Sequence, residues 1–316
     1  MKLEYYIYLI KLQFQSTLYF RKVTAERPSV PMFCLAPGGY DKLILLKHNQ
    51  SHIEVIKEAI ATAWRPGIQR QKTAEACGEY LEEFKLSGNP WYSSGDESTG
   101  ARELLGVIIQ KMQNLGWKLH AAINIKGGTD SLFFIQSIPQ PTSSGIISFN
   151  RQDRLRLIGF NDSSTVQDSV FECILNNYQS SEPEVRSYYG AVEFKLEGYP
   201  FHCSGTSAIK TRRLVSKVLQ KMQSIGWTPI TGIDVSRKDH DKSVIAFVKT
   251  NPVVTPHACI ALSDVDTIRL IDFPSYERER LAEIIRSTYG YGISKESPRD
   301  GDCCLEFELQ VSITSS

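Results

Sequence analysis

Between Tyr80 and Leu86 apolar and polar side chains alternate, a period of two that predicts a half-buried strand, and Gly88-Asn89-Pro90 ends it. From Ala101 the period changes. Leu104, Leu105, Ile108, Met112 and Leu115 recur at three- and four-residue spacing and predict an amphipathic helix. Gly116 stands where a helix ends in a left-handed residue, a conformation that penalises a side chain. Trp117 then opens a new strand. Strands follow at Leu132 to Ser137, Ile146 to Phe149 and Arg154 to Phe160, and a second helix at about Val166 to Asn177.

The pattern returns. Glu83-Phe-Lys-Leu-Ser-Gly-Asn-Pro-Trp91 recurs as Glu193-Phe-Lys-Leu-Glu-Gly-Tyr-Pro-Phe201, and Lys111-Met-Gln-Asn-Leu-Gly-Trp117 recurs as Lys221-Met-Gln-Ser-Ile-Gly-Trp227, both pairs 110 positions apart. Two long matches at one offset mark a tandem repeat. Leu214, Val215, Val218, Met222 and Ile225 trace the second copy of the helical stripe. Asp41-Lys-Leu-Ile-Leu-Leu46, Asp153-Arg-Leu-Arg-Leu-Ile158 and Asp266-Thr-Ile-Arg-Leu-Ile271 form a third set, and Leu305-Glu-Phe-Glu-Leu-Gln310 repeats the strand that precedes the long helix.

These elements predict an α+β fold: tandem two-layer units of order β-α-β-β-β-β-α, each an antiparallel sheet with its helices on one face. The expected division is a partial unit over 1–70, complete units over 78–180 and 187–292, and the opening strand of a further, truncated unit over 303–316. The polar stretches Arg65 to Cys77, Gln179 to Ser187 and Ser294 to Asp302 are read as boundaries, and the Pro-bearing stretches Ile138 to Ser144 and Thr250 to Pro256 as long turns within a unit. The order is similar, in topology alone, to each half of the TATA-box-binding protein and to helix-grip folds, which implies no function. The incomplete end units fit either a shortened chain or a C-terminal strand that returns to pair with the N-terminal half-unit. A half-unit leaves an apolar helix face and a strand edge uncovered, which predicts association or poor solubility.

Composition adds bounds. The chain of 316 residues is 41% hydrophobic and 22% charged with a net charge of +1, so it lacks the basic excess of a nucleic-acid binder. Seven cysteines, an odd number sitting mostly in apolar runs, read as reduced thiols of a cytoplasmic protein. The apolar run Tyr5 to Ile10 is too short to span a bilayer.

Candidate chemistry is sparse. The two copies differ most in one hairpin loop, Asn124 to Asp130 against Asp234 to Lys242, and divergent loops often carry specificity. Asp234, Arg237, Lys238, Asp239, His240 and Asp241 are therefore the candidate contact loop. Its acidic members lack EF-hand spacing and are interspersed with Lys and Arg, which argues against a cation site. His202-Cys203, His257-x-Cys259 and Cys303-Cys304 lack zinc-ligand spacing. Gly38-Gly39 and Gly127-Gly128 lack the Lys-Ser/Thr of a P-loop, and there is no G-x-S-x-G elbow. Lys210, Arg212, Arg213 and Lys217 read as a solvated helix face, and Trp91, Trp117, Phe201 and Trp227 as core anchors. No catalytic residue, metal or cofactor is identified, and ligand-binding residues are unknown. The leading reading is a non-enzymatic repeat protein that binds a protein partner through sheet edges, grooves or loops, with no nucleic acid and no membrane span. The alternative is a carrier of an apolar small molecule in a cavity between sheet and helices.

Overall fold

The computed structural model describes residues 10–12 and 15–18 as backbone, and residues 30–76, 78–124, 128–238 and 241–310. Two short strands come first, β1 (Ile10–Leu12) and β2 (Gln15–Leu18). Then follow β3 (Met32–Gly38), β4 (Lys42–Leu46), α1 (Gln50–Ala63), β5 (Ile68–Ala76), β6 (Glu79–Leu86), α2 (Gly95–Asn114), β7 (Trp117–Ile123) and β8 (Ser131–Gln136). These six strands form one antiparallel sheet in the order β5-β6-β4-β3-β8-β7. The chain then repeats itself as β9 (Ser144–Asn150), β10 (Arg154–Ile158), α3 (Ser163–Asn177), β11 (Glu184–Tyr188), β12 (Ala191–Lys195), α4 (Gly205–Ser224), β13 (Trp227–Ile233) and β14 (Val244–Lys249). Their sheet has the same order, β11-β12-β10-β9-β14-β13. A third round supplies β15 (Cys259–Ser263), β16 (Thr267–Ile271), α5 (Ser275–Thr288), β17 (Ile293–Arg299) and β18 (Cys304–Leu309). Here the two remaining places are taken by the N-terminal hairpin, giving β17-β18-β16-β15-β2-β1.

The architecture is thus a three-fold repeated α+β unit with antiparallel sheets, and the described residues hold five helices. The division differs from the expected one by half a unit. Each sheet gathers strands on both sides of Arg65 to Cys77, Gln179 to Ser187 or Ser294 to Asp302, and those polar stretches hold edge strands β5, β11 and β17. The expected four-strand meander is instead divided: β7 and β8 close one sheet, β9 and β10 open the next, and the Pro-bearing stretches carry the chain between sheets. The first two units read ββαββαββ and the third, among the described residues, ββαββ with two strands added from the N-terminal hairpin, so the likeness in order to the TATA-box-binding protein halves lapses. Nor does β18 pair with the N-terminal half-unit; it lies between β16 and β17, while β2 joins β15.

Local sequence explains the helix ends. Asn49 caps α1, its Oδ1 accepting the His52 N–H at 3.1 Å, while the Asn49 N–H donates to His52 Nδ1 at 3.3 Å. Helix α2 begins six residues before Ala101, because the polar turn holding Asp96 and Glu97 suits the positive end of the helix dipole. Gly116 and Gly226 end α2 and α4 at φ +93° and +85°, and a Cβ there would lie 2.9 Å from Ser137 O and 2.6 Å from Thr250 O.

Trp117 and Trp227 hold the same place, first in β7 and β13, with a compensated change of neighbours. Trp227 packs edge-on against Phe160 with centroids 4.7 Å apart, and Trp117 meets His52 and Phe33 at 4.6 and 5.2 Å. Register makes Gly145 the counterpart of Phe33, because each lies opposite the matching Phe247 or Phe134. A Cβ on Gly145 would sit 2.4 Å from the Phe160 ring. One unit fills that space from the strand, the other from the loop after β10.

The units stack sheet on helix. Every residue of β9 is buried, whereas β3 is buried on alternate positions only. The cause is α2, which is packed between its own sheet and Ile146, Ile158, Val244 and Ala246 of the next. Gly106 allows the close approach: its carbonyl accepts Ser144 Oγ at 2.6 Å, and a Cβ would lie 3.4 Å from Ile146 Cγ1. Helix α4 repeats this through Ile209, which joins Cys259, Ala261, Ile271 and Cys304 of the third sheet.

Candidate protein-docking face

The candidate contact loop is occupied within the molecule. Asp234 is buried, its backbone exchanging two 2.7 Å hydrogen bonds with Asp130 of the first unit: its N–H donates to Oδ2 and its carbonyl accepts the Asp130 N–H. The Arg237 N–H donates to Trp91 O at 2.8 Å, and its guanidinium lies against Gly128. Lys238 Nζ donates to Ser94 Oγ and stands 5.4 Å from the Tyr92 ring centre. Asp241 pairs with buried Arg102 of α2 at 3.5 Å. Asp239 and His240 lie outside the described residues. The loop therefore straps the second unit to the first.

The basic start of α4 is also used. Arg213 donates to Asp272 at 3.0 Å and Asp300 at 3.4 Å, and Lys217 is 3.9 Å from Asp272, so these half-buried cations tie the second unit to the third. His202, Cys203, His257, Cys259, Cys303 and Cys304 form no metal cluster among the described residues.

A recurring ionic group went unread in the sequence. Glu193 of β12, fully buried, accepts from Arg156 Nε at 2.6 Å and Arg186 Nε at 2.8 Å, and Arg156 also reaches Asn150 Oδ1 at 3.2 Å. In the third sheet Glu306 accepts from Arg269 at 2.6 Å and Arg299 at 2.8 Å, with Ser263 in the place of Asn150. In the first sheet Ile44 replaces the arginine, and Glu83 pairs with Lys42 at 2.8 Å. Burial raises the Glu193 and Glu306 pKa values, but the paired guanidinium hydrogen bonds outweigh it and hold both below the usual carboxylate value. Carboxylates so held are poor bases and serve as structural ties. The signal was a glutamate on an apolar strand, three times, opposite an arginine or lysine.

The helix-facing side of the third sheet differs from its counterparts. In the second unit Phe149 pairs across to Leu155 and in the third Leu262 pairs to Ile268, so register makes Leu262 the counterpart of Phe149. Phe149 lies in the core beneath α4, 5.0 Å from the Phe201 ring, and is 1% exposed; Leu262 is 40% exposed. On the first helix of each unit, Cys173 and Ile284 both stand five residues before the capping tyrosine, Tyr178 or Tyr289. Cys173 is 6% exposed and Ile284 is 55% exposed. Ile260 and Ile268 are only partly buried around Leu270 and Phe307. Among the described residues α5 alone lies on this side, where the other units have two helices.

One family model matches the chain three times, over residues 31–135, 144–248 and 256–312. The chain belongs to that family. The first two copies of the family domain coincide with the first two sheets and their helices, and the third match, which stops at 312, covers the five elements from β15 to β18. No curated protein and no solved structure matches the chain. No helix among the described residues is long and apolar enough to cross a membrane.

Sequence reasoning placed Leu262 and Ile284 in a complete unit, 187–292, and expected the uncovered apolar helix face on a half-unit such as that at the N-terminus. There α1 and α2 cover the first sheet, with Leu35, Leu43, Leu45, Phe84 and Leu104 in one core. Aligning Leu262 with Phe149 and Ile284 with Cys173 would have located it.

Proposed function

We propose that this protein is a non-enzymatic cytoplasmic repeat protein whose third domain docks a protein partner on the open side of its sheet. The observation that carries the reading is the contrast between Leu262 and Ile284, exposed, and Phe149 and Cys173, buried at the matched places. An apolar surface of this kind, rimmed by polar residues, is the usual mark of an interaction site. The free thiols of Cys34, Cys173, Cys203, Cys259, Cys303 and Cys304 support a reducing compartment. The carrier reading has less support, because the space beneath the helices of the first two units is lined by close-packed, almost fully buried Phe84, Trp91, Phe134, Phe194 and Phe247.

A photoreactive amino acid placed at Leu262 or Ile284 in cells tests this. Both positions are expected to yield an adduct with the same protein, identified by mass spectrometry, while Tyr199, exposed on the second unit, yields none. Failure of adducts at both positions, or equal labelling from Tyr199, would overturn the proposal.

A further inference from the structure

We infer that the joint between the second and third units is an ionic hinge, at which the third unit parts from the second while the first two units move as one body. The hinge is independent of what the third unit docks. In α2 the residues matched to Arg213 and Lys217 are Glu103 and Val107, 110 positions earlier. Gly159 and Asp272 each follow the last residue of their strand, β10 or β16, and Tyr189 and Asp300 each follow β11 or β17. The ion pairs from Arg213 and Lys217 to Asp272 and Asp300 therefore stand where the first joint has a valine, a glycine and a tyrosine that lies against Gly95. The apolar layers differ in the same sense. Ile146, Ile158, Val244 and Ala246 are continuous through α2 with the first unit's core, whereas Cys259, Ala261, Ile271 and Cys304 join Ile209 in a small cluster apart from the second unit's core. Gly106, whose carbonyl accepts Ser144 Oγ at the first joint, is matched by Ser216, whose buried Oγ has no hydrogen-bond partner among the described residues, an added cost of closure. The chain crossings differ too. The first is tied to both of its units, the Thr142 N–H donating to Asn114 Oδ1 at 3.0 Å and its Oγ1 to Lys249 O at 2.8 Å. The second is tied by the Thr250 and Val253 N–H groups to Gly226 and Gln223 at the end of α4. Partly exposed ion pairs are weak and screened by salt, so the second joint loosens as ionic strength rises while the first, apolar and strapped by Asp234 and Asp241, stays shut.

The joint carries its own reporters. Cys259 and Cys304, on different strands, are 2% and 1% exposed there, and Cys173 in the second unit's core serves as control. The full chain is treated with iodoacetamide at about 0.01 M and about 1 M sodium chloride, Debye lengths of about 30 and 3 Å, and the labelling rate of each thiol is read by peptide mass spectrometry. High salt should speed Cys259 and Cys304 together by about fivefold and leave Cys173 unchanged. Arg213→Glu installs the residue that α2 carries at the matched place, so the helix tolerates it, and should speed both thiols about tenfold already at low salt. Arg213→Lys, which keeps the charge, should stay near the wild-type rate. Ile146→Cys puts the thiol matched to Cys259 into the first joint, where it should remain protected at either salt. Labelling of Cys259 and Cys304 indifferent to salt and to Arg213→Glu overturns the inference. A rise in only one of them would mean a fraying strand, and a rise shared by Cys173 or by the first-joint thiol would mean general loosening; each also overturns it.

Discussion

The second and third sheets carry the same strand order and the same buried carboxylate between two arginines, yet among the described residues only the second is covered by two helices. Their backs are alike, since α2 and α4 press on Ile146 and Cys259 at matched positions. Their helix sides are not. The difference teaches that burial in this fold is decided by the neighbouring layer, not by the strand's own pattern, so equivalent residues in equivalent strands carry unequal energies.

The largest expected effect tests the shared side. Arg156→Met leaves Glu193 buried and without its most buried cation, and Arg269→Met does the same to Glu306, so each should cost about 3–5 kcal/mol in chemical denaturation. A loss confined to one of the two would break the likeness of the backs. Next comes the side that differs. Phe149→Ala should destabilise by about 3–5 kcal/mol, whereas Leu262→Ala, half in water, should cost below about 1 kcal/mol. Comparable losses at the two positions would mean that both are covered.

A smaller effect comes from the first unit, which sharpens the comparison because its helix layer holds a titratable group. His52 is buried against Phe33 and Trp117, and burial followed by the neighbouring His48 lowers its pKa to about 4. The unfolded chain then binds a proton that the folded one refuses, so stability is full above pH 6.5 and falls between 6.5 and 4, by about 2–3 kcal/mol. His52→Gln keeps an acceptor for the capping box and should flatten that window. Below it, the depressed Glu193 and Glu306 add a further loss as pH falls through their folded pKa values, in the wild type and the variant alike. A wild-type curve flat from pH 6.5 to 4 would show that His52 is solvated.

Much of this was legible. The repeated Glu-Phe-Lys-Leu and Gly-Trp segments exposed the duplication, and glycine placement set the helix ends, because those signals are local. Edge strands were not legible: Ile68-Gln-Arg-Gln-Lys-Thr-Ala-Glu-Ala76 is mostly exposed on both faces, so it shows no apolar alternation, and its charges guard a free edge. The phase of the unit escaped for a different reason. A tandem repeat has no intrinsic starting point, and a Pro-bearing stretch between two strands reads the same whether it turns within a sheet or crosses to the next. For the candidate site, loop divergence at Asp234 to Lys242 recorded a contact, but one made with the first unit.

Hydroxyl-radical footprinting of the purified protein measures side-chain exposure residue by residue and bears most directly on the uncovered third sheet. Leu262 and Ile284 should be oxidised readily while Phe149 remains protected in the same sample. Protection of Leu262 and Ile284 equal to that of Phe149 would show a covered face and contradict the open third unit.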